Sequence, residues 1–378
     1  MLTLHGPSDV RRGANLRNLH IIEDGSVLIR DGKIASVGPT RRIENLKEAR
    51  AAPEIEVENA IIMPAFADPG VRLTLPLRDR VKSRQRHDFR AETFALLKAC
   101  MQHGTLNLRV SVSGGNGDLR AGLSALRQLA SITNSPVGIV SSWRLPSQHA
   151  HDDGSVPCDN FATARKMLAS RKLAQFVEIT PESSQGLDGD SWNATCPSNL
   201  DVNFLWPGGS PHLLRMLLAR IKPVTVGCPC SITSDECSAL ADSQAISIFS
   251  PGIEILEERG GDAVRQLIDC GAGLALSSGY DANEAPTFSM QTALSLAVLR
   301  LHLSTEEAIT AATINAAHAI GYGHITGSLE CGKRADLLVL NVPDYREIPR
   351  RFGINNVVMA IREGNLVYNR TRWKVGTT

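Results

Sequence analysis

Two short clusters carry side chains of the kind that hold metal ions. His149-Ala150-His151-Asp152-Asp153 sets two imidazoles beside two carboxylates, donors that suit a divalent cation. The same stretch suits a solvated polar loop, so a displaced metal site and an exposed loop both stay open. Cys228, Cys230 and Cys237 form the second cluster. Their C-x-C-x6-C spacing is not a common zinc pattern, and small thiols are frequent core residues, so packing is the better reading. Arg84, Arg86 and Arg90 around Lys82 make a basic run that faces either solvent or an anionic ligand. Gly114-Gly115-Asn116-Gly117 lacks the Lys-Ser/Thr ending of a phosphate loop and reads as a strand-to-helix turn. There is no G-x-S-x-G nucleophile elbow, and Ser277-Ser278-Gly279 does not substitute for one. His87 and His103 stand alone, and His318 reads as a helix-packing residue.

The elements that would position such groups alternate along the middle of the chain. Amphipathic stretches at 91–102, 119–130, 212–220 and 262–270 are each followed by a short apolar run, at 106–112, 137–141, 224–226 and 274–277. Repeated units of this kind favour a parallel sheet, and their number favours a closed (β/α)8 barrel over an open doubly wound sheet. The ends differ. Asp31-Gly32 between 26–30 and 34–37 marks a tight hairpin, and Glu363-Gly364-Asn365 between 357–362 and 366–368 repeats the pattern. Ser304 followed by Glu307 is a capping box ahead of a helix over 308–319. The segments 183–197 and 207–211 are rich in turn formers and read as loops at a barrel rim.

At 378 residues, 43% hydrophobic and with a formal net charge of +1, the chain has the composition of a soluble globular protein and none of the basicity that nucleic acid requires. No apolar run is long enough for a membrane span, and residues 1–17 lack the apolar core of a signal peptide. Eight scattered cysteines without secretory features fit reduced thiols and a cytoplasmic location.

Two segments carry a family likeness. The run 312–319 followed by Gly327-Ser328-Leu329-Glu330-Cys331-Gly332-Lys333-Arg334-Ala335-Asp336-Leu337 resembles the ending of the amidohydrolase superfamily, and residues 342–345 with 351–355 are similar to imidazolonepropionases in particular. Asp31-Gly32-Lys33-Ile34-Ala35-Ser36-Val37-Gly38 with Ile62-Met63-Pro64-Ala65-Phe66-Ala67-Asp68 resembles the start of the same family. The resemblance implies a TIM-like (β/α)8 barrel over 64–327, with a small β-sandwich built from residues 1–63 and 328–378. It also implies a divalent metal that activates water to open an amide-like ring bond, and a homodimer.

The residues that should hold that metal are missing. The family places His-x-His after the strand ending in Asp68; here Gly70 and Arg72 stand at those positions, one without a ligand atom and the other a permanent cation. A later His and an acid-base group fall in the stretch Leu205-Trp206-Pro207, another His on Cys228, and the final Asp on Gly279, with Asp281 two residues on. A substrate-binding His is replaced by Trp143 or Arg144. The former ligand positions are therefore Gly70, Arg72, Leu205, Cys228 and Gly279, and the expected pocket residues are Arg72, Trp143, Trp206, Cys228 and Asp281.

Two functions follow. In the first, the chain is a non-catalytic relative without metal, kept as a binding or assembly protein that takes an anionic small molecule through Arg72. In the second, it hydrolyses carbon-nitrogen bonds in cyclic amides through a rearranged zinc or iron site using Asp281, Cys228 and His149 or His151.

Overall fold

Asp31 and Gly32 take φ of 50° and 75°, the paired positive angles of a type I′ turn. They join β1 (Gly25–Arg30) to β2 (Lys33–Pro39) as an antiparallel hairpin. The structure is a computed structural model that describes residues 1–7, 9–75, 88–114, 119–132, 134–145, 173–180, 200–228, 231–256, 262–282 and 284–370. The segments 149–153 and 183–197, together with Lys82, Arg84, Arg86, His87 and Cys230, lie outside the described residues.

The central run of parallel strands comprises β4 (Phe66–Leu75), β5 (Thr105–Gly114), β6 (Gly138–Arg144), β7 (Phe176–Ile179), β8 (Asp201–Leu205), β9 (Thr225–Gly227), β10 (Ile246–Phe249) and β11 (Gly273–Leu276), ordered in space as in sequence. The order curls until its ends meet. Arg72 N donates to Tyr280 O at 2.8 Å, and Asp68 accepts from Ser277 Oγ at 2.7 Å and from the Ser278 hydroxyl. The result is a (β/α)8-type barrel. Helices over Phe89–Gln102, Leu119–Ala130, Pro211–Ile221, Ser234–Asp242, Asp262–Asp269 and Met290–Arg300 pack outside it. Each sets a leucine with no exposure against the strands: Leu97, Leu126, Leu214, Leu240, Leu267 and Leu294. Truncating one such side chain to alanine costs about 2–5 kcal/mol.

A second sheet combines the two ends of the chain. β3 (Ile61–Pro64) pairs antiparallel with β12 (Leu337–Leu340), which continues through β13 (Val357–Arg362) to β14 (Asn365–Asn369). Glu363 and Gly364, at φ of 51° and 75°, make the β13–β14 turn. Asn107 joins this sheet to the barrel, donating to Asp336 Oδ2 at 3.0 Å and accepting from Arg334.

The capping box forms as the sequence dictates: Glu307 N donates to Ser304 Oγ, and Ser304 N donates to Glu307 Oε2 at 2.8 Å. The helix expected over 308–319 is instead two, Thr305–Ala312 and Ile314–Ala319, broken at Thr313. Thr313 Oγ1 donates back to Ile309 O at 2.6 Å, the four-residue back-bond by which hydroxyl side chains bend helices.

Candidate functional site

A parallel barrel offers its chemistry at the carboxyl ends of its strands, because the loops there converge on one mouth. Strand pleating decides which side chains face that mouth, since alternate residues point to opposite faces. On β5 the pattern is plain: Leu106, Leu108, Val110 and Val112 are wholly buried in the helix-facing core, while Asn107, Arg109 and Ser111 alternate with them. Register carries the inner face around the barrel, from Arg72 to Ser111 to Ser142, then from Arg144 to Glu178 to Asn203 to Thr225.

These inner residues form one buried polar chain. Arg109 Nη1 donates to Thr225 Oγ1 at 2.9 Å, Thr225 Oγ1 donates to Asn203 Oδ1 at 2.8 Å, and Asn203 Nδ2 donates to Glu178 Oε2 at 2.8 Å. Arg109 also donates to Ala319 O at 3.2 Å and lies over the Phe176 ring. Burial pushes its guanidinium down to about 10, against the raising effect of Glu178 and Asp68. Burial alone would raise the Glu178 carboxyl, yet Arg144, Arg72 and Arg109, with the Asn203 hydrogen bond, hold it below its ordinary range. The Arg144 Nε–Glu178 Oε1 contact is 3.5 Å, an ion pair without a hydrogen bond, and Oε1 has no hydrogen-bond partner. Ser111 Oγ and Ser142 Oγ are likewise buried without one.

A Cβ would crowd a neighbour at three glycines of this mouth. A Cβ on Gly70 would sit 2.4 Å from Ser277 Oγ. On Gly279, whose φ is +68°, it would sit 2.6 Å from Ser250 Cβ and 2.9 Å from Ile253 Cδ1. On Gly227 it would sit 2.8 Å from Leu205 Cδ2. Gly70 N and Ser278 N complete the hydrogen bonds to Asp68, whose carboxyl is nonetheless raised by complete burial.

Of the expected site residues, Arg72 faces the mouth and Asp281 adjoins it through a parallel bridge to Arg72. Leu205 fills the space above Gly227. The structure does not bring Trp143, Trp206 or Cys228 there. Trp143 pairs in register with Val112 and Val177 and lies in the helix-facing core, so its neighbour Arg144 is the inner residue. Trp206 stacks near Phe204 and donates from Nε1 to Glu236 Oε1 at 2.6 Å, on the helix Ser234–Asp242. Thr225 points inward, so Gly227 does too, and Cys228 falls on the outer face, where burial raises its thiol. The sequence reading missed Arg109, Glu178, Asn203 and Thr225. The alternation of polar with apolar residues through 106–112 is the signal that exposes Arg109.

A divalent ion needs several neutral imidazoles, thiolates or carboxylates within reach of one point. Among the described residues no group of three or more His, Cys, Asp or Glu could hold one. The mouth instead presents Arg72, Arg109 and Arg144 around the carboxylate of Glu178, and these residues do not fit a cation. Among the same residues no helix is long and apolar enough to cross a membrane.

Residues 214–367 match the model of the Amidohydrolase family. Over nearly its whole length the chain is similar to curated imidazolonepropionases. It is 27% identical to that of Geobacillus kaustophilus (strain HTA426), over 94% of this chain and 92% of that protein, and 26% identical to that of Alkaliphilus metalliredigens (strain QYMF), over 98% and 97%. Solved structures share the fold at lower identity. A 5-methylcytosine deaminase from Klebsiella pneumoniae superposes with a TM-score of 0.70 at 16% identity over 93% of this chain and 96% of that one. E. coli guanine deaminase superposes with a TM-score of 0.66 at 16% identity over 98% and 97%.

Proposed function

We propose that this chain is an imidazolonepropionase-like barrel that has lost the family's metal ligands and serves as a non-catalytic binding or assembly protein, its mouth taking an anionic small molecule through Arg72. The observation that supports this most is the pairing of closed glycine positions with a cationic lining. Gly70 and Gly279, where the resemblance asks for ligands, have other side chains where a Cβ would go. Such replacement leaves the scaffold intact, because the fold rests on the helix-facing core and not on the mouth. In the same reading the protein is cytoplasmic and homodimeric, with residues 1–63 and 328–378 forming the small domain and 64–327 the barrel.

A second reading, hydrolysis of carbon-nitrogen bonds in cyclic amides, draws support from the near-complete coverage of the imidazolonepropionases. Ring opening of imidazolonepropionate, followed by the fall of its ultraviolet absorbance with and without added zinc or iron, separates the two. The first reading expects no turnover above the uncatalysed rate under any condition. Metal-dependent turnover would establish the second.

A further inference from the structure

The barrel mouth contains more unmet hydrogen-bonding capacity than a closed relic needs. Ser111 Oγ, Ser142 Oγ and Glu178 Oε1 are all buried and without hydrogen bonds, and leaving such atoms unsatisfied is costly. Ser111 and Ser142 are register partners on β5 and β6, Arg72 pairs with Ser111 from β4, and Glu178 pairs with Arg144 across β6 and β7. The unmet groups therefore sit on three adjacent strands, β5 to β7, on one face, beside Arg72 and Arg144.

Their chemistry is not symmetrical. A guanidinium only donates, a hydroxyl donates or accepts, and an ionised carboxylate only accepts. Arg72, Arg109 and Arg144 outnumber Glu178 and Asp281, and the Asp68 carboxyl is raised by burial, so the lining favours an anionic occupant. An anion made only of acceptor oxygens would set its lone pairs against those of Oε1. One hydrogen on the occupant removes that conflict.

We propose that Glu178 is a specificity-determining residue, and that the mouth selects a small oxyanion that still carries an O–H or N–H donor. The anion's oxygens meet Arg72 and the hydroxyls of Ser111 and Ser142, while its hydrogen goes to Glu178 Oε1. This rests on the reading of the mouth as an anion site. The polar chain supports it, because Asn203 donates to Glu178 Oε2 and is itself held by Thr225 and, through it, Arg109, which fixes the carboxylate with Oε1 left over.

Inorganic phosphate and sulfate test this directly, since they match in shape and near neutral pH only phosphate keeps a proton. Glycolate and acetate make the same comparison for carboxylates, and the tighter pair tells phosphorylated from carboxylic ligands. Isothermal titration of the full chain is expected to show phosphate or glycolate binding at least about tenfold tighter than its donor-free counterpart, a modest value for a missing partner to a buried polar group. Glu178→Gln, whose amide can donate, should bring that ratio near one, and Arg72→Met should abolish binding of all four. Should Glu178→Gln fail to fold, the wild-type ratio alone decides. Equal binding of the members of both pairs would overturn the selection by Glu178 while leaving an anion site. Binding of none of the four would remove the anion site and this proposal with it, leaving water as the occupant.

Discussion

Replacing Gly70 with alanine plants a Cβ 2.4 Å from Ser277 Oγ and 3.1 Å from Ser277 Cβ. Neither neighbour moves freely. Ser277 Oγ donates to Asp68 Oδ1 at 2.7 Å and accepts from Gly279 N at 3.0 Å, and this is the junction at which β4 meets β11. Forcing a methyl group into a packed site costs about 1–3 kcal/mol, and displacing the Ser277 hydroxyl from a buried acceptor adds about 1 kcal/mol. The expected loss for Gly70→Ala is therefore about 2–4 kcal/mol, read as a lower urea midpoint at unchanged slope. The informative control is the double variant. Ser277→Gly removes both crowding atoms, so the cost of Gly70→Ala in that background should fall to about 1 kcal/mol or less, giving a coupling of at least about 1 kcal/mol. Equal costs in the two backgrounds would refute the claim that Ser277 fills the space a side chain at residue 70 would need. A histidine at residue 70 meets the same obstacle with more atoms, so restoring His-x-His by Gly70→His and Arg72→His should yield no zinc binding while Ser277 remains.

Three other outcomes follow from the geometry. Glu178 is held below its ordinary value of 4.5, so its charge stabilises the fold above that pH, and the contribution fades as pH falls through the lower folded-state value; the gap between the urea midpoints of wild type and Glu178→Gln should narrow as the pH is taken down from 4.5, and a constant gap would contradict the network. Native alkylation with iodoacetamide, mapped by peptide mass spectrometry, should modify exposed Cys270 and Cys331 and spare buried Cys100 and Cys228 until the chain unfolds; early labelling of Cys228 would return it to the mouth. Ser304→Ala should lower stability by about 1 kcal/mol through loss of the cap, and a neutral result would show that the Arg265 and Arg17 contacts to Glu307 suffice.

The ends of the chain were legible because their signals are local. Asp31-Gly32 and Glu363-Gly364 specify turns through backbone angles that few other residues adopt, and Ser304 with Glu307 specifies a helix start within one turn. Gly70 and Arg72 could be placed on β4 for a related reason: the motif ending at Asp68 pins their position in the sequence. The middle of the barrel was not, because β9 is three residues long and a slip of one residue exchanges Gly227 for Cys228 on the inner face. Trp143 and Arg144 trade places by the same rule. Glu178 carries no local mark at all, since its partners Asn203, Arg144 and Arg72 come from three other strands and meet it only when the barrel closes.

The barrel mouth, as its described residues line it, does not suit a metal. Elemental mass spectrometry on protein purified without chelator, followed by zinc and iron titration with thermal melting, tests it most directly. Substoichiometric metal and a melting temperature indifferent to either ion are expected. Stoichiometric metal that raises the melting temperature would contradict this and restore a metal-dependent hydrolase.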